Sequence, residues 1–132
     1  MHVMKRKKQF ERITDYIRDE YDVAAEHLWK KYPEYAVFRH PNSGKWFGLI
    51  MQVPANRLGR DGTDMIYVIN LHIAPVVVSS ILGAEHFMPG YHMNKASWTT
   101  VMLDDGLSDA QIKPLVQASY DSVAPRAAAP RK

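Results

Sequence analysis

Two β-prone runs, Tyr35 to His40 and Lys45 to Val53, are separated only by Pro41, Asn42, Ser43 and Gly44. Proline presets a turn dihedral, asparagine and serine bond back to nearby backbone, and glycine accepts a positive φ, so four such residues in a row reverse the chain. The pair reads as a β-hairpin, and an isolated hairpin needs more strands and a covering layer to persist in water. Along its second strand, a period of two assigns Phe47, Leu49, Met51 and Val53 to one face and Trp46, Gly48, Ile50 and Gln52 to the other. Pro54 to Asp64, with Gly59, Asp61 and Gly62, is expected to be an exposed loop. Met65 to Ile73 then supplies a third strand, which makes an antiparallel meander.

The covering layer has to come from the flanks. Phe10, Ile13, Ile17 and Tyr21 recur at three- and four-residue spacings, with Tyr16 beside them and charges between, which predicts an amphipathic helix over 5–21. Residues 22–34 are ambiguous: Val23, Leu28 and Trp29 would extend a helix, and Pro33 would end it. Pro75 suits the first turn of a helix and Gly83 its left-handed end, although Val76, Val77 and Val78 also allow a strand. Met88, Pro89 and Gly90 read as an irregular approach to Tyr91 to Met93, and Ser97 to Leu103 as a later strand turned back by Asp104, Asp105 and Gly106. Ser108 with Gln111 forms a capping box, and Ile112, Leu115, Val116, Ser119, Tyr120 and Val123 trace a helical face. Pro114 would delete the bond to the Ala110 carbonyl, so this helix is expected to have a distorted first turn or to start nearer residue 112. The organisation is thus a basic extension over 1–8, one domain over 9–123 and a disordered tail over 124–132 built from Ala, Pro, Arg and Lys.

With 132 residues the chain can bury roughly two-thirds of its unfolded surface without a staple. The absence of cysteine excludes a disulfide framework, a thiolate metal site and a thiol nucleophile. No apolar run approaches the length of about 18 residues that a membrane span requires, and a cytoplasmic location is expected. The net charge of +3 invites a nucleic-acid reading, but Lys5 to Lys8, Arg126, Arg131 and Lys132 carry much of it. The ten remaining basic residues face 14 acidic ones, so 9–123 carries a net −4. Eight of those ten precede residue 61, which leaves one basic face possible without requiring it.

Signatures of common chemistry are missing: the chain has no phosphate loop, dinucleotide fingerprint, HExxH helix or GxSxG elbow. His86 and His92 flank one loop, but a spacing of six without a third ligand is a poor metal pattern, and Asp104 with Asp105 before Gly106 suits a turn better than a catalytic pair. No cofactor or metal is expected, and the chain reads as non-enzymatic. The segment from Gly90 to Trp98 (GYHMNKASW) is the densest in useful groups. There Asn94 can satisfy turn backbone, Lys95 can meet phosphate or carboxylate, and Trp98 can stack; a structural turn with Trp98 in the core fits equally well.

Taken in order, Tyr32 to His40 (YPEYAVFRH), Lys45 to Met51 (KWFGLIM), Asn70 to Pro75 (NLHIAP), Tyr91 to Lys95 (YHMNK), Trp98, Val101 and Ser119 to Asp121 resemble the MmcQ/YjbR family over roughly residues 10–123. The resemblance implies an α+β, two-layer α-β3-α-β2-α domain with an antiparallel sheet against helices, similar to type III secretion chaperones and frataxin-like proteins. It favours the helical reading of Pro75 to Leu82. It also implies DNA binding by a double-wing protein, with Arg39, His40, Lys45, Trp46, His92, Asn94, Lys95 and Trp98 as family candidates; Arg57 and Arg60 would add phosphate contacts if the loops lie together. The first functional expectation is therefore weakly specific DNA binding through the phosphate backbone. The alternative is an adaptor or chaperone-like module that binds a protein segment or small ligand on its sheet face through Trp46, Tyr91 and Trp98. A contiguous patch of Arg39, Lys45, Arg57, Arg60 and Lys95 would favour the first, and their dispersal the second.

Overall fold

The computed structural model describes residues 7–82 and 87–125. Lys5, Arg6, Gly83, His86 and the tail beyond Pro125 lie outside the described residues. Helix α1 (Gln9–Tyr21) begins later than expected: the Glu11 carboxylate accepts the Lys8 backbone N–H at 2.9 Å, which fixes the first turn. It ends where Asp22 enters the left-handed region at φ 55°. Ile13 and Ile17 are fully buried on its inner face. Gln9 is buried with them, its amide donating to the Leu107 carbonyl and the Asp109 carboxylate while its oxygen accepts the Asp105 N–H. Beside it Arg12 bonds Asp109 at 2.8 Å and holds that carboxyl below its usual range, joining α1 to the start of the last helix.

After α1 the chain runs without regular structure to β1 (Ala36–Arg39), apart from a bridge between Glu26 and Val37. Strand β2 (Trp46–Pro54) follows the tight turn, in which Gly44 has φ 73° and the buried His40 ring accepts the Asn42 N–H. The expected exposed loop after β2 opens with a 3-10 turn over Ala55–Leu58 that buries Ala55 and Leu58, while Asn56, Arg57 and the stretch from Gly59 to Asp64 stay exposed or half-exposed. Strand β3 (Met65–Leu71) leads into α2 (Pro75–Leu82), so the helix wins over the strand despite its valines. Strand β4 (Phe87–Pro89) occupies what reads in sequence as irregular chain, because its residues pair with β5 (Thr99–Met102) at the sheet edge. Helix α3 (Asp109–Ser122) carries the expected capping box, with the Ser108 hydroxyl accepting from Gln111 N–H at 3.1 Å. Pro114 neither delays nor breaks it. Ala110 and Pro114 are both exposed, so the orphaned carbonyl faces solvent rather than core.

The sheet order is β1-β2-β3-β5-β4 and every pairing is antiparallel. Among the described residues no helix is long and apolar enough to cross a membrane. One face packs Phe38, Phe47, Ile50, Ile69 and Leu71 against Ile13, Ile17, Ile112, Leu115 and Val116 of the helices. The other face carries Val37, Leu49, Met51, Val53, Val68 and Met102, covered by Leu58 and by loop aromatics rather than by helices.

Strict alternation misplaces two residues, Trp46 and Phe47. Arg39 pairs with Trp46 and Phe38 with Gly48, so Phe47 is an extra residue in β2, a β-bulge. Phe47 therefore packs on the helix side with Ile50, and Trp46 is turned to the opposite face with Leu49. Gly48 makes this possible, since a Cβ there would lie 3.2 Å from the Phe38 ring. The Phe47 carbonyl lies one residue beyond the Gly48–Leu71 pair that ends the β2–β3 ladder, and the fully buried Ser119 hydroxyl donates to it at 2.5 Å while accepting the N–H of His72, the next residue on the other strand, at 2.8 Å. Next to this, Ser122 meets the His72 ring at 2.7 Å and Trp98 packs edge-on against it.

Two outcomes follow from this junction. Ser119→Ala strips partners from a buried carbonyl and a part-buried N–H, and urea unfolding should show a loss of about 2–4 kcal/mol, whereas Ser122→Ala at an exposed position should cost under about 1 kcal/mol. Burial, helped by Lys45, lowers the His72 pKa from its ordinary value of 6.5, so the unfolded chain binds the proton more readily. The stability from neutral His72 is present above that value and is lost as pH falls through the lowered folded value. A His72→Gln variant should show a flatter dependence of Tm on pH in that acidic range, and an unchanged slope would reject the assignment.

Candidate functional site

The face without helices is not flat. Because the bulge turns Trp46 toward it, this ring stands beside Trp29, at 5.9 Å and nearly perpendicular, and Trp29 in turn meets Tyr35 edge-on at 5.8 Å. Tyr32 lies flat on Tyr35, with ring centroids 4.7 Å apart. The segment between α1 and β1 holds these rings through local turns: Tyr32 N–H donates to the Trp29 carbonyl and Tyr35 N–H to the Tyr32 carbonyl. The ring nitrogen of His27 lies within 3.1 Å of the Pro33 and Tyr35 carbonyls and steadies the same segment.

The opposite wall comes from the loop before β5. Gly90 N–H donates to the Trp98 carbonyl at 2.8 Å, and a Cβ at Gly90 would sit 2.7 Å from that of Trp98, so only glycine closes this loop. Inside it, the Asn94 carboxamide oxygen accepts from Ala96 N–H and the Lys95 ammonium donates to the Gly90 carbonyl at 3.0 Å. From below, the buried Asn70 donates to the Tyr91 carbonyl, and Thr100 accepts the Tyr91 N–H while donating to Asn70. This framework holds His92 in the left-handed region at φ 60° and aims His92 and Met93 at the aromatics. With Leu49 and Met51 as floor, the result is a groove of about 340 Å³ lined by Trp29, Tyr32, Tyr35, Trp46, His92 and Met93.

The sequence-derived candidates divide between this groove and other places. Trp46 and His92 line it, and Tyr91 packs against the same apolar cluster. Arg39 stands at its edge, 5.9 Å over the Trp46 ring and paired with Glu26 at 3.0 Å. Asn94 and Lys95 build the loop. Trp98 lies against His72 at the end of the sheet, and His40 is buried against Tyr120. Trp29 and Tyr32 escape the sequence reading because their segment has no periodicity; its density of aromatics around Pro33 is the signal that points to them.

The five cations do not form one patch. Arg39, Lys45 and Lys95 sit at the sheet end where Arg39 pairs with Trp46, whereas Arg57 and Arg60 follow Pro54 at the other end of β2. Nine residues of strand separate these ends by roughly 26 Å at ~3.3 Å per residue. Arg60 is bonded to Asp104 at 2.5 Å; burial pushes that carboxyl up, but the guanidinium prevails and holds it below its usual range. Lys45 and Arg57 are exposed and have no carboxylate partner among the described residues.

Comparison with known proteins is consistent with this architecture. The family model described as YjbR matches residues 18–122. YyaQ of Bacillus subtilis strain 168 is 34% identical over 110 residues, covering 83% of this chain and 93% of the relative. YjbR of Escherichia coli K12 is 59% identical over 45 residues, 33% of this chain and 38% of that protein. A Pseudomonas syringae protein of 36% sequence identity superimposes with a TM-score of 0.80 as a crystal structure, covering 92% of this chain and all of that one. A solution NMR structure from the same organism gives a TM-score of 0.78 at 36% identity, covering 89% of this chain and 94% of that one. With its motifs in order, its five-stranded antiparallel sheet and its three helices shared with such neighbours, the chain belongs to the YjbR family.

Proposed function

We propose that the protein is a non-enzymatic binding module whose ligand occupies the aromatic groove on the helix-free face of the sheet. The groove itself carries this reading: four aromatic rings from two chain segments, with Met51 and Met93, enclose about 340 Å³. That volume lies at the lower end of ligand pockets, which run from about 300 to 1,000 Å³. His92 is the only titratable imidazole lining it, and no serine, cysteine, aspartate or glutamate side chain joins it there. Such a lining can bind and orient but offers no nucleophile with a base, so the chemistry supports recognition rather than turnover.

A second reading, contact with the DNA phosphate backbone, is favoured by one observation: the ammonium groups of Lys45 and Lys95 lie at the same end of the sheet without a carboxylate partner among the described residues. The engagement of Arg39 with Glu26 and of Arg60 with Asp104, and the distance to Arg57, weigh against a broad phosphate-binding surface.

Two measurements separate the readings. Methyl-detected NMR with small aromatic fragments should shift Leu49, Met51 and Met93 together, and shifts confined to other residues would refute the groove. Titration of random duplex DNA against salt tests the second reading: if Lys45 and Lys95 each neutralise a phosphate, replacing both with alanine should reduce the log-log slope by about 1.8, at about 0.9 per contact. An unchanged slope would remove the sheet end as a DNA surface.

A further inference from the structure

We infer that the partner of the aromatic groove is a proline-rich protein segment in the polyproline II conformation with acidic residues at its flanks; the inference rests on the groove being the binding site. The first argument is hydrogen-bonding character. The lining includes Trp29 and Trp46, whose indole N–H groups have no hydrogen-bond partner among the described residues, together with Tyr32, Tyr35 and His92, and it contains no carboxylate or carboxamide side chain. Indole N–H only donates, so the complementary ligand has to supply acceptors to it. A proline-rich segment fits, because every residue keeps its carbonyl while each proline lacks an N–H.

Shape gives the second argument. Trp29 stands nearly perpendicular to both Trp46 and Tyr35, and Tyr32 lies flat on Tyr35, so the rings form ridges with notches between them rather than a single stacking plane. Rigid pyrrolidine rings fill such notches, and an extended helix of this kind is already ordered before it binds, which keeps the entropic cost low. Charge gives the third. Lys30 and Lys31 are exposed on the turn beside Trp29, and Arg39 is fixed over Trp46 by Glu26. Of the acids near in sequence, Glu26 is engaged by Arg39 and Glu34 lines a different cavity beneath α1 with Lys7 and Phe10. The Arg39–Glu26 pair is neutral, so Lys30 and Lys31 give the rim its positive charge beside a lining without carboxylates, which selects acidic flanks on the peptide.

The test is fluorescence anisotropy of the full chain with labelled Glu-Pro-Pro-Leu-Pro-Pro-Leu-Glu, the same peptide with glycine for proline, the same peptide with lysine for glutamate, and oligothymidylate. The acidic proline peptide should bind saturably, with the glycine and lysine versions each about tenfold weaker. Tyr32→Ala, at a residue 45% exposed and therefore dispensable for folding, should weaken it about tenfold, as should Lys30→Glu combined with Lys31→Glu, both with native circular dichroism. Equal binding of the proline and glycine peptides, or binding of oligothymidylate in place of the peptide, would overturn the inference while fragment shifts at Leu49, Met51 and Met93 left the groove standing. Failure of peptide and fragments alike would bring down both.

Discussion

The hydroxyl of Ser119 joins three elements that nothing else connects in the same way. It donates to the Phe47 carbonyl, just past the last pair of β2 and β3, and it accepts the first backbone N–H after β3. A buried carbonyl and a part-buried N–H, whose loss of a partner would cost about 1–3 kcal/mol for a fully buried group, are satisfied by one side chain from α3. The adjoining Tyr120 stacks with Tyr21 of α1 at 4.4 Å and meets Phe47 edge-on at 5.1 Å, so helix, bulge and first helix lock together around a single point.

The bulge reaches further than its own residue. By inserting Phe47 it reverses the alternation of β2, which sends the Phe47 ring into the helical core and the Trp46 ring to the opposite face. Without that reversal Trp46 would share the side of Ile50, and the groove would lose the ring against which Trp29 packs. The helical side is thus sealed, with Ile13, Phe38, Phe47, Ile69 and Ile112 fully buried, while the other side keeps a partly open aromatic cleft under loops. A sheet closed on one face by helices and on the other only by loops divides its surfaces: the first face supplies the hydrophobic burial and the second remains accessible.

Electrostatics in this domain are mostly spent locally. Arg12, Arg18, Arg39 and Arg60 all meet carboxylates within 3.2 Å, and pairs this open to solvent add little to stability. Their consequence is that the basic count of the sequence overstates the cationic surface. Among the described residues, the cations left without carboxylate partners include Lys45 and Lys95 at one end of the sheet, Arg57 at the other and Lys30 and Lys31 on the turn beside Trp29, so they do not build one broad cationic face.

The sequence by itself determined the elements with strong local causes. The turn at Pro41 to Gly44, the periodic apolar faces of α1 and α3 and the Ser108 capping box are written in residues within one turn or strand of each other, and the ordered motifs carried the α+β architecture. What tertiary structure decided was everything that depends on distant partners. The bulge at Phe47 is invisible to a period of two, and the Phe47 carbonyl finds its partner in Ser119, 72 residues away. The short β4 exists because β5 pairs with it, and Pro114 is tolerated because its turn of α3 happens to face water. Asn94 and Lys95, which look like ligand-binding groups in the sequence, satisfy their own loop. Trp29 and Tyr32 acquire a role only when an aperiodic segment folds over the sheet. Local physics fixes turns and helix faces because the interacting groups are neighbours in the chain; the groove is assembled from segments far apart in sequence, and no spacing rule encodes which of them will meet.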